Sequence, residues 1–269
     1  MTRQQAFAAL HRPGSPFVLP NAWDVSSALL LADAGFPAVG TTSLGVTAAA
    51  GEIDGAGTGR DVTMALARKI LPRLPVPTTV DIEGGYSDDP GAVADLAAEL
   101  AELGAAGINL EDVRGGGALR PVATHAAIIR AVVAAAPGLF VNARTDVFWL
   151  QVGPPAGRLE VATTRLLAYQ DAGAWGLFVP ALTELADIAS LTRRIQLPLN
   201  VLWQPDTTLT QLGGAGVARV STGSALYRRA LAAAVAAAVA AQHDRPPSGP
   251  DLRYDSVLYA LRRPVTRAS

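Results

Sequence analysis

The chain has 269 residues, half of them hydrophobic, and a formal net charge of −1. This length suits one large domain. A near-neutral charge argues against nucleic-acid or membrane-surface partners, which favour a basic protein. The sequence has no cysteine, which excludes disulfides, thiolate nucleophiles and thiolate metal ligands. The longest apolar run, residues 230–241, is too short to span a bilayer. We therefore expect a soluble, cytoplasmic protein.

Short β-rich runs recur along the chain, and each is followed by a helical stretch. The runs are residues 17–20, 38–42, 78–81, 107–110, 139–142, 177–180, 199–202 and 218–221. The predicted helices are 25–34, 61–73, 90–103, 124–136, 157–172, 182–194, 208–212 and a long one from Ser224, with Thr124 as one N-cap. Glycines before the strands fit helix C-terminal caps at Gly35, Gly104, Gly173 and Gly216.

Strands that alternate with helices indicate a parallel sheet, and eight such units in this length favour closure into a (β/α)₈ barrel. An open doubly wound sheet is the main rival, but no Gly-x-Gly-x-x-Gly follows the first strand. We assign residues 1–245 to the barrel and 246–269 to a linker with a C-terminal helix over 252–262. This appendage is too small to be a domain, and we expect it to pack on its own barrel or on a neighbouring subunit.

Polar side chains follow the predicted strands, at the barrel end where active sites of this fold form. Asp81 and Glu83 follow the third strand, Glu111 and Asp112 the fourth, and Arg144 and Asp146 the fifth; the others are Asn21, Asp24, Thr42, Ser43, Asn200, Ser221 and Thr222. Carboxylates and hydroxyls without histidine or cysteine favour a hard cation such as Mg²⁺ or Mn²⁺. In a regular strand Asp81 and Glu83 would point the same way and repel each other unless a cation intervenes.

Arg144 carries a planar guanidinium that suits a substrate carboxylate or phosphonate. It could instead hold Glu111 in place, or form a salt bridge with Asp81 or Glu83. Thr42 and Ser43, with the amides that follow, could bind a substrate carboxylate, although Thr/Ser turns are common. The only lysine, Lys69, lies in a predicted helix among arginines, so Schiff-base chemistry is not expected.

Several ordered motifs resemble the isocitrate lyase/phosphoenolpyruvate mutase superfamily. Residues 81–86 resemble its Asp-x-Asp/Glu-x-Gly-Tyr metal motif, 107–112 its Gly-x-x-Leu-Glu-Asp segment and 142–146 its Ala-Arg-Thr-Asp segment. Residues 41–43 and 51–54 resemble its substrate-binding loop and the acidic residue that follows. The resemblance covers about residues 15–235.

The resemblance implies an Mg²⁺ ion (Mn²⁺ is possible) ligated by Asp81, with Asp54, Glu83 and Glu111 holding its water shell. It implies that the metal and Arg144 stabilise the enolate of a 2-oxo acid. The site residues it suggests are Arg144, Glu111 and Asp54 for catalysis, Thr42, Ser43, Leu44, Arg144 and Asn200 for substrate, and Asp81, Glu83 and Glu111 for metal. It also implies dimers or tetramers with exchanged C-terminal helices.

The chain departs from this superfamily in its catalytic loops. The lyases carry a Lys-Lys-Cys-Gly-His-type loop whose cysteine is the acid/base, and no such loop exists here. Phosphonopyruvate-processing members place lysine and asparagine in a lid after Glu-Asp, where this chain has residues 113–120. We interpret the glycines 115–117 as a mobile lid, in which Arg114 or Arg120 could supply positive charge on closure.

Three functions follow. The preferred one is metal-assisted C–C cleavage or decarboxylation of a 2-oxo or 2-hydroxy carboxylic acid through an enolate, because CO₂ leaves without a general base. The second is P–C bond chemistry, as a phosphonopyruvate-type mutase or hydrolase. The third is a weakly catalytic binder of 2-oxo acids such as 2-oxoglutarate or oxaloacetate.

Overall fold

The computed structural model describes residues 1–113, 117–246 and 248–262. Its strands are β1 (Phe17–Leu19), β2 (Asn21–Ala22), β3 (Val39–Thr41), β4 (Thr78–Asp81), β5 (Gly107–Glu111), β6 (Phe140–Arg144), β7 (Gly176–Phe178), β8 (Leu199–Leu202) and β9 (Arg219–Ser221). Its helices are α1 (Arg3–Leu10), α2 (Val25–Asp33), α3 (Ser43–Ala49), α4 (Arg60–Ile70), α5 (Pro90–Glu102), α6 (Val122–Ala135), α7 (Arg158–Asp171), α8 (Leu185–Thr192), α9 (Leu209–Gly214), α10 (Ala225–Gln242) and α11 (Tyr254–Leu261).

The strands form one parallel sheet in the order β1-β9-β8-β7-β6-β5-β4-β3-β2. Because β1 and β2 follow each other directly in the chain, the two ends of this order meet and the sheet closes as a barrel. Helices surround it, so the predicted (β/α)₈ TIM-barrel fold is confirmed. The four glycines predicted to end helices all have positive φ, between 86° and 98°.

The first predicted strand, residues 17–20, ends at Leu19, and β2 begins beyond it at Asn21, because Pro20 between them has no N–H to donate to a neighbouring strand. Strand β1 pairs with β9, and β2 pairs with β3. Asn21 joins the two sides of this seam: its Nδ2 donates to the carbonyl of Thr41 at 2.7 Å, and its Oδ1 accepts from the amide of Gly223 at 2.9 Å. The seam therefore lies at the barrel mouth.

The hydrophobic core fills the space between the strands and the surrounding helices, and a separate aromatic cluster closes the barrel's other end. In this cluster Phe7 of α1 meets Phe17 and Phe140 edge to face, and His11 stacks on Phe140 with ring centroids 4.1 Å apart. The side chains at the barrel mouth thus have a packed floor beneath them.

Two local predictions were wrong. Residues 43–49, expected to be loop, form α3, because the chain turns back onto the barrel directly after β3 and buries Ser43 and Val46. Helix α6 begins at Val122 with Pro121 as its N-cap residue, two residues before the start expected from Thr124. Proline fits there because the N-cap residue precedes the helix, so its missing N–H removes no helical hydrogen bond, while its carbonyl accepts from the amide of His125 at 3.1 Å.

The C-terminal region is mostly exposed. Within α10 only Tyr227 is buried, and Leu231, Val235 and Val239 face solvent. Helix α11 packs against α2 and buries Ala260. Within the described ranges, no helix combines the length and apolar character that crossing a membrane would require.

Candidate active site at the barrel mouth

A cavity of about 420 Å³ opens at the C-terminal ends of the strands. Most residues singled out from the sequence line it: Thr42, Ser43, Leu44, Asp54, Asp81, Glu111 and Arg144. They come from the ends of β4, β5 and β6, from the start of α3 directly after β3, and from the loop before α4. These segments are distant in sequence, but β3, β4, β5 and β6 are neighbours in the sheet. The parallel barrel therefore gathers the predicted groups at one mouth.

The pairing of β5 with β6 sets the central charge contact. Glu111 lies opposite Arg144 in the register of these strands. The guanidinium Nη1 lies 2.9 Å from Glu111 Oε2, and Nε donates to Asp146 Oδ1 at 2.7 Å. Among the described residues Arg144 pairs with these two carboxylates and not with Asp81 or Glu83. The interpretation that it holds Glu111 is thus supported, and its planar fork is fixed by two partners.

Asp81 ends β4 and faces the cavity. Its amide donates to Thr41 Oγ1 at 2.9 Å, which ties the end of β4 to β3, and its Oδ1 accepts from the amide of Glu83 at 3.2 Å. The side chain is almost entirely buried. A buried carboxylate with no guanidinium or ammonium paired to it calls for a proton or a cation.

Glu83 does not point the same way as Asp81, contrary to the expectation from a regular strand. The strand ends at Asp81, and Glu83 has φ = 50°. Its side chain lines a second, polar crevice beside the cavity. There it lies close to the backbone amides of Gly55 and Gly57, in the loop that carries Asp54. Its Oε1 is buried and has no partner among the described residues.

Burial and mutual repulsion weaken the acidity of these carboxyl groups. Burial raises the pKa of Asp81 to about 6, and the Asp54 charge adds to the rise although Arg144 opposes it. Burial, with Asp54 and Asp81 nearby, raises the pKa of Glu83 to about 7. Burial also raises the pKa of Glu111 despite Arg144. A bound divalent cation would reverse these shifts, because it favours the charged form.

The donor set fits a hard, hydrated cation better than a softer one. Every acidic group at the mouth offers oxygen, which Mg²⁺ prefers. The described residues contain no cluster of three or more histidine, aspartate or glutamate side chains spaced as a complete metal cage. Mg²⁺ commonly keeps several waters and takes one or two protein carboxylates, so Asp81 as a direct ligand is compatible with this spacing.

The predicted substrate-binding residues divide between the cavity and the layer below it. Thr42 is the N-cap residue of α3 and makes no capping hydrogen bond, so its hydroxyl is available at the cavity wall with Ser43 and Leu44. Asn200 does not line the cavity. It is buried beneath Ser221, whose hydroxyl donates to Asn200 Oδ1 at 3.0 Å.

The predicted lid is described only in part, because residues 114–116, including Arg114, lie outside the described residues. Arg120 is buried and faces the polar crevice, where it donates to Asp88 Oδ1 at 2.8 Å and to the carbonyl of Ser87 at 2.9 Å. A Cβ on Gly84 would lie 2.5 Å from the carbonyl oxygen of Val113, so glycine is required for this close approach. Arg120 therefore anchors the loop that follows β5.

Two groups of residues at the site were missed from the sequence. Trp149, Leu150, Phe178, Pro180 and Leu202 form one side of the cavity, which we call the apolar wall. Beneath the cavity, Arg219 is fully buried and donates to Asn109 Oδ1 at 2.9 Å and to Ser221 Oγ at 3.0 Å. The available signal was position: each residue lies at or shortly after a strand end, or projects inward from a strand.

Backbone strain also concentrates at this end of the barrel. Among the described residues, five that are not glycine have positive φ, and four of them follow β4, β6 or β7: Glu83, Tyr86, Gln151 and Ala181. Such conformations cost free energy and persist only where the surrounding structure imposes them, and they cluster at functional sites. Strain thus marks the same loops as the carboxylates and the apolar wall.

Comparisons of sequence and of structure identify proteins that are similar to this chain. The model of the phosphoenolpyruvate phosphomutase family matches residues 7–242. An uncharacterized protein of Mycobacterium tuberculosis (strain ATCC 25618 / H37Rv) is 46% identical over 237 residues, which are 87% of each chain. The 2-methylisocitrate lyase of Bacillus subtilis (strain 168) is 33% identical over 67% of this chain and 60% of the lyase. A phosphonopyruvate hydrolase solved with oxalate and Mg²⁺ has the same fold, with a TM-score of 0.81 and 20% identity, over 97% of this chain and 95% of that one.

Proposed function

Because the chain belongs to the phosphoenolpyruvate phosphomutase family, within a superfamily of lyases, mutases and hydrolases, we propose that it is a Mg²⁺-dependent carbon–carbon lyase. Its substrate would be a small 2-oxo or 2-hydroxy carboxylic acid that reacts through an enolate. The observation that carries this proposal is that Asp81, Glu111 and Arg144 face one cavity of all-oxygen donors and a single guanidinium. The curated lyase relative supports the same reaction class.

Each side chain has a role in this proposal. Asp81 would ligate the metal, while Asp54, Glu83 and Glu111 would accept hydrogen bonds from its water shell. A bound Mg²⁺ would supply Lewis-acid polarisation of the 2-oxo group. Arg144, already oriented by Glu111 and Asp146, would bind the developing negative charge of the enolate. The hydroxyls of Thr42 and Ser43 would hold the substrate carboxylate.

Decarboxylation is the form of this reaction that the cavity serves most simply. In a 2-oxo acid with a carboxylate on C3, the C3–C4 bond breaks, its electron pair forms the enolate, and C4 leaves as CO₂. This step needs no general base, and the enolate then takes up one proton at C3. None of the described lining residues is histidine, lysine, cysteine or tyrosine, so a reaction that needs no base at the start fits best.

A turnover assay with a metal control tests the proposal. Oxaloacetate, isocitrate, 2-methylisocitrate and phosphonopyruvate would each be incubated with the protein, with Mg²⁺ or with EDTA, and followed by NMR. We expect Mg²⁺-dependent cleavage of a carbon–carbon bond, lost in Asp81→Ala and kept in Asp61→Ala, whose side chain is 93% exposed. Turnover of phosphonopyruvate alone would favour P–C chemistry instead. Saturable binding without product would favour a 2-oxo acid binder.

We also propose that the protein forms homodimers or tetramers that exchange C-terminal helices, so that the contact of α11 with α2 would form between subunits in the assembly. The exposed apolar side chains Leu231, Val235 and Val239 lie on α10, a helix that buries little against its own barrel. Removing such side chains from water stabilises association. Sedimentation equilibrium measures the state directly, and a monomer at micromolar concentration would contradict the proposal.

A further inference from the structure

The cavity has two chemically different sides. Its acidic side comes from the loop before α4 and the ends of β4, β5 and β6, which supply Asp54, Asp81, Glu111 and Asp146. Its other side is the apolar wall, contributed by the last residues of β7 and β8 and by the connections that follow β6 and β7. Since β6, β7 and β8 are neighbours in the sheet, the apolar wall is one continuous sector. It begins where Phe178 meets the guanidinium of Arg144, 5.5 Å from the ring centroid.

The cations beside the apolar wall do not line the cavity: Arg158 donates to the carbonyls of Gln151 and Gly153, and Arg229 lies 5.1 Å from the ring centroid of Trp203. The connections that follow β6, β7 and β8, residues 145–157, 179–184 and 203–208, contain no lysine, arginine or histidine. Among the described lining residues Arg144 is the one basic side chain, and two carboxylates already pair with it. An additional acidic group of a substrate, placed against the apolar wall, would lose its hydration and find no partner.

The apolar wall instead offers surface for hydrocarbon. Trp149 keeps 53% of its surface exposed beside the cavity, and Leu150 and Leu202 are half-buried. Exposed apolar surface that lines a cavity gains free energy when an apolar ligand group covers it. The cavity of about 420 Å³ also has room for more than a two- or three-carbon acid.

We infer that the substrate carries an uncharged hydrocarbon substituent, alkyl or aryl, beyond its 2-oxo acid end, and that this substituent lies against the apolar wall. The inference rests on the proposed function, which places the 2-oxo acid end at Asp81 and Arg144. In the decarboxylation the substituent is on C3, and it stays on C3 when the C3–C4 bond breaks and CO₂ leaves. The product is a longer 2-oxo monocarboxylate, so unreactive product analogues can probe the apolar wall.

Calorimetric binding in Mg²⁺ provides the test. Pyruvate, 2-oxobutyrate and 2-oxopentanoate form an alkyl series, and 2-oxoglutarate differs from 2-oxopentanoate by a carboxylate in place of the terminal methyl. Each buried methylene should tighten binding about fourfold, so 2-oxopentanoate should bind roughly 15-fold tighter than pyruvate. It should also bind at least about tenfold tighter than 2-oxoglutarate, because the carboxylate of the latter is desolvated without a partner.

A charge-introducing variant makes the test specific to the apolar wall. Leu202→Arg adds a cation at its half-buried edge, and we expect it to shift the preference towards 2-oxoglutarate. Val161→Arg adds the same cation at an exposed position on α7, serves as the matched control and should keep the wild-type preference. Tighter binding of 2-oxoglutarate than of 2-oxopentanoate by the wild type would overturn the inference and leave the proposed lyase standing. Failure of every 2-oxo acid, pyruvate included, to bind with Mg²⁺ would instead overturn the proposed function.

Discussion

Arg219 is a buried cation that no carboxylate pairs with in the part of the chain that the structure describes. Burial lowers its pKa to about 9, and the Asp81 carboxylate acts against that shift. Its fork holds Asn109 and Ser221, which line the cavity, while its Nη1 has no partner among the described residues. Buried charged groups commonly contribute little to stability, and here the contacts point towards positioning.

We therefore predict that Arg219→Met separates stability from function. Methionine fills much of the same space without a charge to desolvate, so the free energy of unfolding should stay within about 1 kcal/mol or rise. Asn109 and Ser221 lose their common donor, so kcat/KM should fall roughly 10- to 100-fold, as for other groups that orient a metal site. Urea unfolding and steady-state kinetics measure the two effects. If the free energy of unfolding fell together with kcat/KM, Arg219 would be mainly structural.

At the scale of elements, Asp112 joins three parts of the barrel beside the site. Its Oδ2 accepts hydrogen bonds from Thr145 at 2.7 Å, Tyr169 at 2.7 Å and Arg165 at 2.9 Å, and its Oδ1 accepts from the amide of Asp146 at 3.0 Å. These partners lie after β6 and on α7. Because Asp146 in turn holds Arg144, the buried carboxylate of Asp112 fixes the loop that orients the guanidinium.

Asp112→Asn should destabilise the protein by about 3–5 kcal/mol, because a partly buried Arg165 loses its anionic partner. The amide of asparagine also cannot accept hydrogen bonds at both of its terminal atoms. Thermal melting with Asp61→Asn as the control measures the loss; the exposed control should stay within about 0.5 kcal/mol. A melting temperature like that of the wild type would contradict the role of Asp112 in joining these parts of the barrel.

The sequence predicted the secondary-structure elements well, but it predicted the directions of individual side chains much less well. Alternating strands and helices predicted the barrel, and strand-end positions predicted the residues that meet at its mouth, because parallel strands bring all their C-terminal ends together. The direction of Glu83 could not be predicted, since the chain leaves the strand after Asp81 and Glu83 adopts a positive φ that the residue pattern does not indicate. The position of Asn200 below the cavity could not be predicted either, because a residue that faces the barrel interior can lie at the mouth or one layer of side chains below it.

At the scale of the whole molecule, the aromatic cluster that closes the barrel bottom links stability to pH. Burial, and secondarily the charge of Arg219, lowers the pKa of His11 from 6.5 to about 3. Its Nδ1 lies 2.9 Å from the carbonyl oxygen of Phe7, and its ring packs among three phenylalanines. Folding therefore requires a neutral imidazole at this position.

The sign of the effect follows from proton binding in the two states. Below pH 6.5 the unfolded chain binds a proton at His11 that the folded chain excludes until about pH 3. The free energy of unfolding therefore decreases as the pH is lowered through this window, by about 1.4 kcal/mol per pH unit for this one residue. His11→Phe keeps an aromatic ring at this position and removes the titration. The contact of His11 with the carbonyl of Phe7 is also lost, which adds a difference in stability that does not change with pH.

Urea unfolding of wild type and His11→Phe at several pH values between 7.5 and 4.5 measures that difference. Taking the difference cancels the other titrating groups, including His125 and the carboxylates at the barrel mouth, because both proteins contain them. We expect a constant difference above about pH 7 and a steady relative loss for the wild type below about pH 6. A difference independent of pH would mean that the folded chain can protonate His11, and that the barrel bottom opens to water far more readily than its packing indicates.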